Sequence, residues 1–253
     1  MEAGRFCHRR KKGHAYVSTD LMAMLERLSA AYGPQGWWPL PTLAGIDGRD
    51  RAGYRAAPSM PVPSDAINAA QARFEIAAGA VLAQNTAWTG ATKAILALHH
   101  AGFLSPGVLA GMDETLLGKT IQTAGTFKIK ARYLKALAAA WPAFEITQPT
   151  RKQLLAIQGI GYETADCILL YCFGQPVFIG DAYARRILLR TGFFSSQQSY
   201  ESTRRAAALV LPLDATYLAE AHALIDEHGK RCCRAKPLCK ACTLARDCLD
   251  ARC

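Results

Sequence analysis

Four cysteines near the end of the chain, Cys232, Cys239, Cys242 and Cys248, are spaced C-x6-C-x2-C-x5-C. Four thiolates folded back within one short loop make a soft-ligand cage, suited to Zn²⁺ or to an iron–sulfur cluster. Zinc ribbons usually carry two C-x2-C knuckles on separate hairpins, and this loop has one such pair. The asymmetric loop fits a cubane better, because four irons need their ligands set wider apart than one ion does. A [4Fe–4S] cluster is therefore the first reading, with zinc and unligated thiols as the alternatives. Six of the nine cysteines fall in the last 22 residues, but Cys233 and Cys253 lie outside the pattern, and only Cys232 gives the six-residue interval. Arg231, Arg234, Lys236, Lys240 and Arg246 decorate the loop. They suit a phosphate-facing surface, or alternatively the balancing of an anionic cluster.

A second constellation lies upstream. Leu154–Ala165 (LLAIQGIGYETA) reads as a helix, a Gly-Ile-Gly turn at Gly159, Ile160 and Gly161, and a second helix. Such a turn leaves backbone N–H groups pointing outward at a helix N-terminus, an anion site suited to a DNA phosphate. Twenty residues after Gly161, Asp181 opens a helix behind the apolar run Val177-Phe178-Ile179. An Asp there is an N-cap by its position alone. Next to a phosphate site it is also a candidate catalytic carboxylate.

Together these residues resemble the endonuclease III branch of the helix-hairpin-helix DNA glycosylases. That family's marks are an L-P-G-V-G-x-K-T-A hairpin, a G-x-P-x-x-x-V-D segment ending in a catalytic Asp, and a C-terminal C-x6-C-x2-C-x5-C cluster loop. Here they read Ile157–Ala165, Gly174–Asp181 and the four cysteines, and the resemblance spans about residues 66–250. It implies an all-α fold of two helical domains with a DNA groove between them. One is a six-helix barrel (74–174) with the hairpin at 154–173. The other joins 16–73 to 175–253 and carries the cluster loop at 232–248, and residues 1–15 form a basic tail. It also implies Asp181 as the catalytic residue, a [4Fe–4S] cofactor, damaged double-stranded DNA as partner, and a monomer.

The chain departs from the family where bifunctional members carry the Lys that attacks the sugar. That position is Glu163, and no Lys occurs between Lys152 and Lys230. A carboxylate cannot form an imine, so the expectation is a monofunctional glycosylase that leaves an abasic site. Base flipping needs a filler for the gap, and Gln84 stands at the position of the family's wedge residue. Trp37-Trp38-Pro39 and the Gln84-Asn85-Thr86-Ala87-Trp88 segment resemble the 3-methyladenine glycosylase subgroup. Electron-rich walls of Trp37, Trp38 and Trp88 would favour a cationic alkylated purine. The alternatives are an oxidised-pyrimidine or mismatch glycosylase, and a DNA-binding homologue without turnover.

The elements that must position these groups read as helices, roughly ten in all. The periodicity predicts 16–32, a stretch capped by Ser64 and running to about Ala83, 86–99, a short helix from Ser105-Pro106, and 127–140 closed by Trp141-Pro142. It further predicts a capping box at Thr150-x-x-Gln153, then helices at 181–190, 200–209 and 215–227. The Pro- and Gly-rich stretch 34–63 reads as an ordered loop. Composition agrees with a nucleic-acid partner: the net charge of +10 is spread as +4, +2 and +4 over residues 1–73, 74–150 and 151–253. The 51% apolar content excludes a disordered chain. Apolar runs of at most eight residues predict no membrane span. With no apolar core behind the basic start, the expected location is cytoplasmic, nucleoid-associated in a bacterium.

Overall fold

A computed structural model of the chain describes residues 20–46, 48–64, 68–246 and 248–251. The basic tail and Cys253 lie outside these residues. Among the described residues the protein is all-helical, with a lone bridge between Arg49 and Arg55 and no strand. No helix among the described residues is long and apolar enough to cross a membrane. Contacts divide the chain into two units: Met1–Gly33, Phe178–Pro212 and Ala221–Cys253 form the first, and Pro34–Val177 with Leu213–Glu220 the second. Residues 34–73, expected with the terminal helices, therefore fall in the second unit. Burial of Trp38, Leu40 and Leu43 explains this, since their stretch packs on α2 (Ala69–Ala83) and α3 (Trp88–His100).

The second unit is built around α2. This helix is buried on nearly every side, through Ala72, Phe74, Ile76, Ala77, Ala78, Val81 and Leu82, as a helix apolar all round must be. It begins at Ala69, behind Asn68 in a left-handed conformation (φ 57°), and not at a Ser64 cap. Three further helices, α4 (Pro106–Gly111), α5 (Glu114–Thr120) and α6 (Phe127–Ile146), follow, and α4 and α5 both pack on α6. Pro142 does not end α6, as the sequence suggested; it sits inside the helix. Trp141 (1% exposed) and Phe144 are buried, and Trp141 packs on Phe74 and Phe173, so burial carries the helix past the hydrogen bond that proline removes.

Glu75 ties the 34–63 stretch to α2. Its buried carboxylate accepts from the Thr42 hydroxyl and, at 3.4 Å, from the Thr42 N–H and the Gln71 amide. Burial pushes its pKa up to about 7. A carboxyl group raised in this way stabilises the fold fully below its unfolded value near 4.5, and that contribution is lost as pH rises through 7. The melting temperature should therefore decline between pH 5 and 7.5, and Glu75→Gln should flatten the decline. Equal slopes in wild type and variant would show that Glu75 does not set it.

In the first unit, α1 (Leu21–Tyr32) is capped by Asp20 and buries Leu21, Met24, Leu25 and Leu28, the stripe its periodicity predicts. It is joined by α9 (Ala182–Thr191), α10 (Tyr200–Ala208) and the end of α11 (Ala215–Arg231). Helices α9 and α11 approach so closely that a Cβ at Gly229 would lie 2.2 Å from the Tyr183 ring.

Candidate functional site

The hairpin joins α7 (Arg151–Leu155) to α8 (Tyr162–Cys167), whose helical path continues as a π turn through Cys172. Both bonds of the expected capping box are present: Thr150 Oγ1 accepts from the Gln153 N–H, and Gln153 Oε1 accepts from the Thr150 N–H at 2.8 Å. The two glycines differ in kind. Gly159 has φ +83°, and a Cβ there would lie 2.1 Å from the Tyr133 ring, so only glycine fits. Gly161 has φ −90°, is exposed, and has open space around its missing Cβ. Ile160 between them is buried and anchors the turn. Arg151 donates to both oxygens of the buried Asp166, at 2.7 and 2.9 Å, locking α7 to α8. Glu163 is exposed in the first turn of α8, where a negative charge favours the helix dipole.

Gln84, at the C-cap of α2, uses its amide to hold the hairpin: Nε2 donates to Gly159 O at 3.0 Å and to Thr164 Oγ1 at 2.9 Å. The turn it belongs to is fixed by Lys130, which is 2% exposed and donates to Leu82 O (2.7 Å), Thr86 Oγ1 (2.6 Å) and Ala124 O (2.7 Å). Burial pushes the Lys130 pKa down to about 8. The sequence reading missed this lysine. Its signal was its place on the apolar stripe with Leu134, Leu137 and Trp141, all buried.

The three tryptophans of interest form one cluster in the second unit. Trp37 and Trp88 are half-buried and stack face to face, with centroids 4.8 Å apart and planes 7° from parallel. Trp38 is buried, lies 5.2 Å from Trp88 and meets Tyr171 edge-on at 5.6 Å. Tyr54, also missed, accepts the Trp88 indole N–H. Stacked this closely, Trp37 and Trp88 cover each other's inner faces. A flat heterocycle reaches those inner faces only when the rings part by about its own thickness.

In the first unit Asp181 caps α9. It is 5% exposed, and its Oδ1 accepts the Ala184 N–H at 2.7 Å. The capping role anticipated from position is thus present, and the same bond fixes the carboxylate's orientation. Gly180 before it allows a close approach, since a Cβ there would lie 2.7 Å from Tyr200 O.

Cys232, Cys233, Cys239, Cys242 and Cys248 line one cavity, shared with Ile187, Thr191, His228 and Leu244. No group of three or more His, Cys, Asp or Glu side chains among the described residues is gathered tightly enough to hold a single metal ion. Burial raises the Cys242 pKa to about 11 and raises that of Cys248, and the neighbouring thiols add to both. Cys232, Cys242 and Cys248 each lie within 4.0 Å of a polar partner: Tyr32 Oη, His228 Nε2 and the Arg190 carbonyl, respectively. Arg231, Arg234, Lys236, Lys240 and Arg246 are all exposed around the loop. A cavity lined by five thiols, Cys232 buried and the other four half-buried, fits a multi-iron cluster in ligand type.

A family model described as HhH-GPD superfamily base excision DNA repair protein matches residues 78–212. The chain belongs to that family and is a base-excision-repair DNA glycosylase of the endonuclease III type. A protein of Methanocaldococcus jannaschii described as a DNA repair glycosylase is 31% identical over 230 residues, covering 87% of this chain and 91% of its own length. A non-covalent endonuclease III–DNA complex shares the fold at a TM-score of 0.71 and 18% identity, over 94% of this chain and 97% of that one. An H. pylori 3-methyladenine DNA glycosylase bound to 1,N6-ethenoadenine shares it at 0.62 and 23% identity, over 84% and 98%.

Proposed function

We propose that the protein is a monofunctional glycosylase that hydrolyses the N-glycosidic bond of a flipped alkylated purine in double-stranded DNA. The observation that carries the reading is the half-exposed Trp37–Trp88 stack backed by Trp38. Electron-rich indole faces attract a cationic heterocycle by cation–π forces and bind neutral bases less well. The likeness to a glycosylase named for 3-methyladenine supports it. The test is release of free base from oligonucleotides carrying alkylated purines, oxidised pyrimidines or mismatches. Release of 3-methyladenine or a related cationic base ahead of the others is expected. Preferential release of an oxidised pyrimidine would reassign the site, and tight binding with no release of any base would make the chain a non-catalytic binder.

In this reading the Gly159-Ile160-Gly161 turn binds a phosphate of the lesion strand through backbone N–H groups, and Asp181 acts on the sugar. Leaving of the base develops oxocarbenium-like charge at the sugar, which a fixed carboxylate stabilises while it orients or deprotonates the attacking water. Gln84 fills the gap only after giving up its two bonds to the hairpin, so insertion is coupled to release of the turn. Gly161→Asp should fold normally, because the position is open and its φ is ordinary. It should weaken DNA affinity for all sequences, and wild-type affinity should fall steeply with salt. Unchanged affinity would make the hairpin a structural corner only.

Cys232, Cys239, Cys242 and Cys248 are the residues that would hold a [4Fe–4S] cluster. When bound, it supplies a rigid cross-link that fixes the basic loop. The purified protein should be yellow-brown, absorb near 400 nm and contain about four irons per chain. A colourless protein with one zinc would reverse this assignment.

A further inference from the structure

The cavity holds one more thiol than a four-iron cluster uses, and the fifth is built into the site like the others. Cys232 and Cys233 leave the end of α11 together, and both backbone N–H groups donate to His228 O at 2.9 Å. Their side chains both line the one cavity, each with its own polar neighbours. Tyr32 Oη lies 3.8 Å from Cys232 Sγ and 2.8 Å from His228 Nδ1, while His228 Nε2 lies 3.7 Å from Cys242 Sγ. Arg190 reaches Cys233 Sγ with Nη1 at 3.4 Å, and the Arg190 carbonyl lies 3.3 Å from Cys248 Sγ. Cys232 is thus linked to Cys242 through the Tyr32–His228 pair, and Cys233 to Cys248 through Arg190.

Arg190 also fixes the chain beyond Cys233, donating to Arg234 O at 2.6 Å and to Ala235 O at 3.2 Å, while Arg186 Nε donates to Cys233 O at 2.8 Å. A bystander next to a ligand has no need of such an anchor.

We propose that Cys233 is a fifth cluster-binding thiol and that Cys232 and Cys233 are interchangeable occupants of one ligand position, beside the fixed Cys239, Cys242 and Cys248. Exchange breaks one iron–thiolate bond as it makes another. The departing thiolate takes the proton that the entering thiol gives up, so the charge of the site is unchanged and no oxidant is needed. The inference rests on the cluster reading above and extends it. The consequence is tolerance: loss of either thiol, by mutation or by oxidation, leaves a complete ligand set.

The test is iron and acid-labile sulfide per chain, with absorbance near 400 nm, in Cys232→Ser, Cys233→Ser, the double variant and Cys239→Ser. Both single variants at 232 and 233 should keep the wild-type content, whereas the double variant and Cys239→Ser, which has no adjacent substitute, should lose it. Circular dichroism of each variant separates loss of cluster from loss of fold. Loss in Cys232→Ser as complete as in the double variant would overturn interchangeability while leaving the cluster reading intact. Wild-type protein without iron would overturn both.

Discussion

Asp181→Asn should release damaged base about 10²-fold more slowly than wild type or worse, the usual scale for removing one electrostatic or acid–base group. The variant is informative because the two roles of this residue separate cleanly in it. Asn caps helices about as well as Asp, so the bond from the Ala184 N–H to the side chain survives, and with it the start of α9. The fold should be unaffected. DNA binding should persist and become tighter, since a negative charge near phosphates has been removed. Single-turnover base release, melting temperature and affinity for lesion DNA, measured on one preparation, check all three. Full activity in Asp181→Asn would return the residue to its capping role and remove the proposed mechanism. Equal losses of stability and rate would say the same, because a cap alone then accounts for both.

The features that were legible in the sequence are those whose physics is local. The capping box at Thr150 and Gln153, the helical stripe of α1, the Gly-Ile-Gly hairpin and the cysteine register each depend on residues within a few turns of one another, and the last two, with Gly174–Asp181, carried the resemblance to the family. What the sequence hid depends on contacts between distant segments. Gln84 is legible as the family's wedge position, but not the engagement of its amide with Gly159 and Thr164, far along the chain. Trp37 and Trp88 were each visible as aromatic, but not their mutual stacking. Pro142 is a helix stop by local rules and is overruled by the burial of Trp141 and Phe144. The tandem cysteines are a subtler case: spacing selects Cys232 alone, whereas the cavity admits both.

Borohydride should trap no covalent complex between the wild-type protein and lesion DNA. Trapping requires an imine between a protein amine and the opened sugar, and the family's position for that amine holds Glu163, exposed in the first turn of α8. No lysine occurs between Lys152 and Lys230. Lys130 is the buried lysine nearest the Gln84 turn, but its ammonium already donates to three oxygens, one of them the C-terminal carbonyl Leu82 O, so it is a structural cation rather than a nucleophile. The product should therefore be an intact strand with an abasic site, cut only after alkali treatment. Glu163→Lys supplies an amine at the position but not its activation. Its pKa must fall towards neutrality before it attacks a sugar, and at an exposed site little lowers it. Trace borohydride trapping is the most this variant should gain, with base release remaining dependent on Asp181. A strong trapped band with wild-type protein, or strand cleavage without alkali, would refute the monofunctional assignment and require a nucleophile elsewhere in the chain.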